Sequence, residues 1–250
     1  MLDTDHPFRD RTFLRDWIIA TTLGLMVGMM MSWYIPRSTL DVANWIEAGL
    51  LNGIPNQGVG QVIRTLPSFV VTTTSVGAVV GVFLGIAQWM ALRRLSVPWA
   101  REWLWASVAG AVVSYLLMAA FNILGILLDP VNGLLKGLAD SGLWIGVIMG
   151  LAQWLVLRKV TPHAGWWIPV ALGIWAAGST LNHFFGRQIV NWMSSSLAIF
   201  ARTGFGLRNL GGVRFFTMGQ IVMWSIEGVI GGFISGKVLG WLKTAGFVKQ

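Results

Sequence analysis

Long uncharged runs alternate with polar stretches along this chain, and six of the runs approach or reach the length of a bilayer crossing. At about 1.5 Å of rise per residue, a helix of roughly 17–25 apolar residues spans the hydrocarbon core. The runs are Trp17–Tyr34, Pro67–Leu92, Trp103–Leu128, Gly142–Leu157, Trp166–Phe185 and Thr217–Leu239. Between them the composition changes abruptly. Asp129, Pro130, Asn132 and Gly133 end the third run, and Asp140 with Ser141 can cap the fourth. Short basic turns, 93–101 and 158–165, join runs two to three and four to five. Residues 36–65 are too polar to span; Ser38, Thr39 and Asp41 precede Leu40, Trp45, Ile46 and Leu50 in an order that predicts a short amphipathic helix at the membrane surface. Residues 186–216 form a second long connection, with an apolar surface helix expected over 189–200. The pattern predicts an all-α polytopic membrane protein, six transmembrane helices in three hairpins plus short interfacial helices. One transmembrane domain covers the chain: a tail (1–16), span one with its outer connection (17–66), spans two to five (67–185), a second outer connection (186–216), and span six with a basic tail (217–250).

The second and fourth runs are near copies. Gly81–Arg94 reads GVFLGIAQWMALRR and Gly146–Lys159 reads GVIMGLAQWLVLRK. Gly81, Gly85 and Trp89 are spaced by four, as are Gly146, Gly150 and Trp154, so each set lines one helix face. Gly77 extends the first ridge, and Gly228, Gly232 and Gly236 build another in run six, where the Gln and Arg are missing. Such ridges let helix backbones approach closely, which supplies packing where lipid removes the hydrophobic drive to associate. Gln88 and Gln153 lie beside the ridges, and an amide unpaired in hydrocarbon costs several kcal/mol, roughly, so each should bond to another helix. Runs one, three and five each open with Trp seven residues before Gly: Trp17 and Gly24, Trp103 and Gly110, Trp166 and Gly173. Parallel repetition of hairpins implies pseudo-symmetric packing about an axis along the membrane normal.

Composition sharpens this picture. Hydrophobic residues make up 55% and charged residues 11% of the 250, far below the roughly 25% charged of globular domains. The absence of cysteine excludes disulfides and thiolate chemistry, and three scattered histidines give no metal-site spacing. The net charge of +8 is divided among short turns and ends, which fits lipid headgroups and not nucleic acid. Arg9, Arg11, Arg15, Arg93, Arg94, Arg101, Arg158, Lys159, Lys237, Lys243 and Lys249 fall on one side of a six-span topology, predicting cytoplasmic termini. Arg93, Arg94, Arg158 and Lys159, beside Trp89 and Trp154, are expected as interfacial anchors. No cleavage signal follows the first run, which is expected to stay as an anchor.

Candidate chemistry is sparse. Glu227 is the sole ionisable side chain near the middle of a predicted span; at that depth it marks either an ion route or a structural acid bonded to a hydroxyl such as Ser114, Tyr115 or Ser179. Asn122, Asn182 and His183 carry atoms able to ligate a chlorophyll-type pigment, and Trp144, Trp175 and Trp224 can stack on a flat ligand such as a carotenoid. No phosphate-binding loop, dinucleotide fingerprint or nucleophile elbow is present.

The pattern G-x-x-x-G-x-x-Q-W-x-x-L-R with a following Trp resembles uncharacterised multi-pass membrane proteins of photosynthetic and filamentous bacteria, such as cyanobacteria and chloroflexi. It covers 81–110 and 146–173 closely. The resemblance implies a bacterial inner or photosynthetic membrane and an accessory role beside an energy-converting complex. The expected function is a non-enzymatic membrane subunit that packs with other subunits and organises lipid or pigment. The alternative is a small transporter or channel whose pathway passes Glu227, Gln88 and Gln153.

Overall fold

A computed structural model describes residues 11–32, 59–128, 143–186, 188–189 and 212–245. Every secondary-structure element among them is helical: α1 (Arg11–Ser32), α2 (Val59–Arg94), α3 (Ala100–Leu128), α4 (Leu143–Leu157), α5 (Trp167–Leu181) and α6 (Gly212–Ala245). A 3-10 turn, Pro162–Trp166, leads into α5, and a π turn, Asn182–Gly186, leaves it. Four of the helices are long and apolar enough to cross a membrane, with qualifying stretches Arg11–Ser32, Phe69–Arg94, Ala100–Leu124 and Gln220–Leu242; α4 is a shorter apolar helix. The expected surface helices near 38–50 and 189–200 lie outside the described residues, apart from Gln188 and Ile189.

Several helices overrun the apolar runs. Residues 11–16, expected in a surface tail, open α1, where Asp16 pairs with Arg94 Nη1 at 2.9 Å and with Arg15 at 3.2 Å. Pro67, expected to start span two, lies inside α2. Proline removes one backbone hydrogen bond and kinks the axis without ending a helix whose other turns are intact. In α6 the helix runs past Leu239 to Ala245, so Lys243 is helical and not in a tail.

The helices contact one another in chain order, α1 to α2 and on to α6, and α6 closes on α1; the α5–α6 seam is the thinnest. The exposed surface is studded with apolar side chains, among them Ile19, Met90, Leu155, Val229 and Phe233, while Thr21, Gln88, Ser107, Ser114, Gln153 and Ser235 are buried. A polar interior inside an apolar exterior is the arrangement lipid demands, since polar groups must then find partners within the protein.

Glycine ridges set the close approaches. A Cβ at Gly81 would sit 2.9 Å from the Val108 Cα of α3, one at Gly146 2.7 Å from the Leu172 Cα of α5, and one at Gly228 2.6 Å from the Thr22 Cα of α1. The second row repeats this, with Gly85 against Leu104, Gly150 against Ile168 and Gly232 against Ile18. Gly77 packs on Ala111 and Tyr115, and Gly236 on Leu14 and Trp17.

Both described turns are closed by defined hydrogen bonds. At the end of α2, Val97 N–H donates to Leu92 O (3.3 Å) and Ser96 N–H to Arg93 O (2.9 Å). This pair satisfies the last helical carbonyls and places Ser96 at the left-handed position, φ 54°. After α4, Thr161 Oγ1 accepts from His163 N–H (3.4 Å) to cap the 3-10 turn, with Pro162 at its first position.

Candidate functional site

Five of the buried polar side chains, Thr21, Gln88, Ser107, Gln153 and Ser235, bond to one another or to tryptophans between helices. Gln88 Oε1 accepts from Trp103 Nε1 (2.9 Å), while its Nε2 donates to Thr21 Oγ1 (3.3 Å). Gln153 does the same one unit later: Oε1 accepts from Trp167 Nε1 (2.9 Å) and Nε2 donates to Ser107 Oγ (3.0 Å). Each glutamine thus stitches three helices, α1–α2–α3 and α3–α4–α5. Trp17 Nε1 donates to Ser235 Oγ (2.9 Å), which links α1 to α6. Ser235 stands seven residues after Gly228, as Gln88 does after Gly81 and Gln153 after Gly146. Its short side chain keeps the bond to the tryptophan. On α5 the residue matching Thr21 and Ser107 is Ala171, which has no hydroxyl, so this stitch has no α5 arm.

The three tryptophans seal one end. Trp17 and Trp103 are 0% exposed and Trp167 3%, in a buried cluster with Phe13, Leu92, Leu157, Leu239 and Leu242. Ring centroids of Trp17 and Trp103 lie 6.0 Å apart and those of Trp103 and Trp167 5.3 Å, both edge-to-face, the geometry aromatic quadrupoles favour. Trp166, read from the sequence as the repeat's tryptophan, is 61% exposed, whereas Trp167 takes the buried place. The Trp–Gly spacing misled because the second turn is one residue shorter and passes through a 3-10 segment, which rises about 2.0 Å per residue against 1.5 Å in an α-helix. A Cβ at Gly173 accordingly meets nothing within 4 Å.

From the level of the stitches to Glu227 extends a cavity of about 70 Å³, lined by Thr21, Gln88, Gln153, Trp175, Glu227 and Ser235 among others. Two of the described helices, α5 and α6, supply most of its wall, so it sits against the thin seam. Glu227 is half-buried on this wall, and a Cβ at Gly178 of α5 would lie 3.5 Å from its Cδ. Among the described residues its carboxyl makes neither hydrogen bond nor ion pair. Two of the three hydroxyl partners considered for it bond elsewhere: Ser114 Oγ donates to Gly110 O (2.6 Å), and Tyr115 OH faces Met29 Sδ at 4.0 Å.

The remaining candidates scatter. Asn122 Nδ2 donates to Met118 O of its own helix (2.9 Å). Asn182 lies in the π turn with its carboxamide oxygen against Gly186, and the His183 side chain lies outside the described set. Trp144 stacks on Phe121 with centroids 4.6 Å apart. At the turn end, the Arg93 guanidinium lies over Trp89 (5.3 Å) and that of Arg158 over Trp154 (5.1 Å), while Lys159 Nζ pairs with Glu102 (2.6 Å) as Arg94 pairs with Asp16. Among the described residues, no group of three or more His, Cys, Asp or Glu is placed to hold a metal ion.

Sequence reasoning reached the glutamines and the glycine ridges but not the tryptophan donors or Ser235. The signal for Ser235 was the Gly228 register, read by position and not by residue identity. Neither a protein-family model, nor a curated protein, nor a solved structure matches this chain.

Proposed function

We propose that the chain is a non-enzymatic integral membrane subunit, crossing the bilayer six times as three repeated hairpins, that packs within or beside a larger membrane complex and organises lipid or pigment. The observation that carries this reading is how the buried polar groups are used. Gln88 and Gln153 are bonded at both ends of their amides, so they hold helices together and are not free to line a route. Support for six crossings comes from the contact ring and from α5, whose helical path is extended by the 3-10 and π turns at its ends. The membrane is read as a bacterial inner or photosynthetic one with both termini cytoplasmic, from the basic turns and the repeat motif.

The test is purification in mild detergent, followed by an absorption spectrum and native mass spectrometry. Bound lipid, pigment or partner subunits are expected; a colourless, lipid-free, solitary protein overturns the reading. A second reading, transport past Glu227, Gln88 and Gln153, is favoured by their sharing one cavity. The sealed tryptophan layer opposes it, because a pathway would have to break that layer. Flux into liposomes that is lost in Glu227→Gln would establish transport.

A further inference from the structure

The two intact units show what the α5–α6 pair lacks. The residue preceding the first ridge glycine is Val80 in α2 and Ile145 in α4, both buried core side chains. In α6 the same position is Glu227. Facing Val80 across the α1–α2 seam is Gly28, whose built Cβ would lie 3.0 Å from the Val80 Cα; facing Glu227 across the α5–α6 seam is Gly178. The bundle is therefore packed at this position by an aliphatic residue wherever packing alone is asked of it. Replacing that residue by a carboxyl in an apolar interior costs folding free energy, so packing does not account for Glu227.

The size pattern beside it is inverted as well. Gly24 packs on Leu84 and Gly110 on Met149, whereas the α5 counterpart is Ile174, which meets Gly231 of α6. Ser235 in place of a glutamine leaves space at the level of the stitches, and the cavity of about 70 Å³ occupies that level. Such a volume holds several water molecules or one small polar headgroup.

We infer that this cavity binds a primary ammonium group whose apolar tail passes between α5 and α6 into the lipid. A carboxylate selects a cation. The indole of Trp175 lines the same cavity, and alkylammonium groups are attracted to indole π systems. A divalent metal ion is the poorer match, because hard cations require several oxygen ligands, whereas Glu227 is the one carboxylate among the cavity-lining residues and the amide oxygens of Gln88 and Gln153 already accept from tryptophans. The ammonium group can come from a free amphiphilic amine or from an aminophospholipid headgroup. The site rests on the membrane reading above, but not on the presence of partner subunits.

The experiment uses the full chain in phosphatidylcholine nanodiscs titrated with n-hexylammonium by calorimetry, with hexanol as the uncharged control. Saturable binding is expected for the wild type and no saturable binding for hexanol. Glu227→Gln should weaken it at least tenfold, and Ser235→Gln, which fills the cavity and leaves the carboxyl in place, should do the same. Glu227→Val, which restores the aliphatic residue of the other two units, guards against loss through misfolding: a normally melting Val variant that does not bind supports the site. Equal binding by wild type and Glu227→Gln, or mere partitioning as into empty nanodiscs, overturns it. Repeating the titration in phosphatidylethanolamine nanodiscs separates the two sources. A drop in apparent affinity assigns the site to the lipid headgroup, and an unchanged value assigns it to a free amine. A chain that fails to enter nanodiscs refutes the membrane reading and the site with it; an inserted chain that does not bind refutes the site alone.

Discussion

Replacing Gln88 by leucine removes an amide that bonds two other helices at once, and the cost can be worked from the bonds it breaks. Trp103 Nε1, on a residue that is 0% exposed, loses its acceptor at 2.9 Å. Stranding a buried donor costs about 1–3 kcal/mol. The weaker bond to Thr21, 3.3 Å long, adds about 0.6 kcal/mol, the usual size of an interhelical hydrogen bond in a membrane. Leucine is close in volume to glutamine, so cavity formation contributes little, and the expected loss is about 1.5–3.5 kcal/mol. The assay is reversible unfolding by SDS in bicelles, followed by far-ultraviolet circular dichroism so that changes in tryptophan content do not intrude. A double-mutant cycle with Trp103→Phe isolates the bond. With the donor gone, Gln88→Leu should cost about 1 kcal/mol less than it does in the wild type. Gln153→Leu should behave alike, because its two bonds have the same chemistry and similar lengths. A Gln88→Leu loss below about 0.5 kcal/mol, or strict additivity in the cycle, would refute the view that these amides hold the bundle together.

Four further outcomes follow from the same geometry. Gly146→Ala and Gly228→Ala, whose new methyls would meet backbone at 2.7 and 2.6 Å, should lower thermal stability markedly, whereas Gly173→Ala, with open space around it, should be neutral within about 0.5 kcal/mol. Ser96→Gly should raise the melting temperature, since glycine relieves about 1 kcal/mol of left-handed strain at φ 54°; an unchanged or lower value would contradict the cap assignment. Reversing the exposed pair Lys159–Glu102 by exchanging the two residues should change stability by less than about 1 kcal/mol, and less still at high salt. The combination Ser235→Gln with Ala171→Ser should install the third stitch and stabilise the protein by roughly 1 kcal/mol, a gain that differential scanning fluorimetry would register and whose absence would deny the equivalence of Ser235 with the glutamines.

The helices were legible because apolar run length and glycine spacing act locally. Gly81, Gly85, Gly146 and Gly150 repeat at helical intervals, and the structure places each against a neighbouring backbone. Gln88 and Gln153 were legible as groups in need of partners, since lipid offers none. The partners themselves were not, because Trp103 and Trp167 are reached only after a turn whose length differs by one residue between the two units. That single residue shifts the buried role from Trp166 to Trp167. Helix ends were also misplaced, for a reason particular to this chain. The charged residues Asp16, Arg94 and Glu102 lie within helices beyond the apolar runs, where they pair across neighbouring elements, so the runs understate α1, α2 and α3.

The differences between the α5–α6 pair and the other two fall along one seam. Where α1–α2 and α3–α4 close their turn end with an acid–base pair, the matching positions hold Trp166 and Trp241, both exposed. Where the others carry glutamine and a hydroxyl, this pair carries Ser235 and Ala171; where the others carry Val80 and Ile145, it carries Glu227. The α5–α6 pair thus lacks the acid–base pair, the glutamine amide and the aliphatic side chain found in the other two, while Trp17 bonds Ser235 across α1 and α6. The ring is closed by that bond beside its thinnest seam, so the opening that the proposed ammonium site requires falls between α5 and α6, where the fewest packed groups have to part.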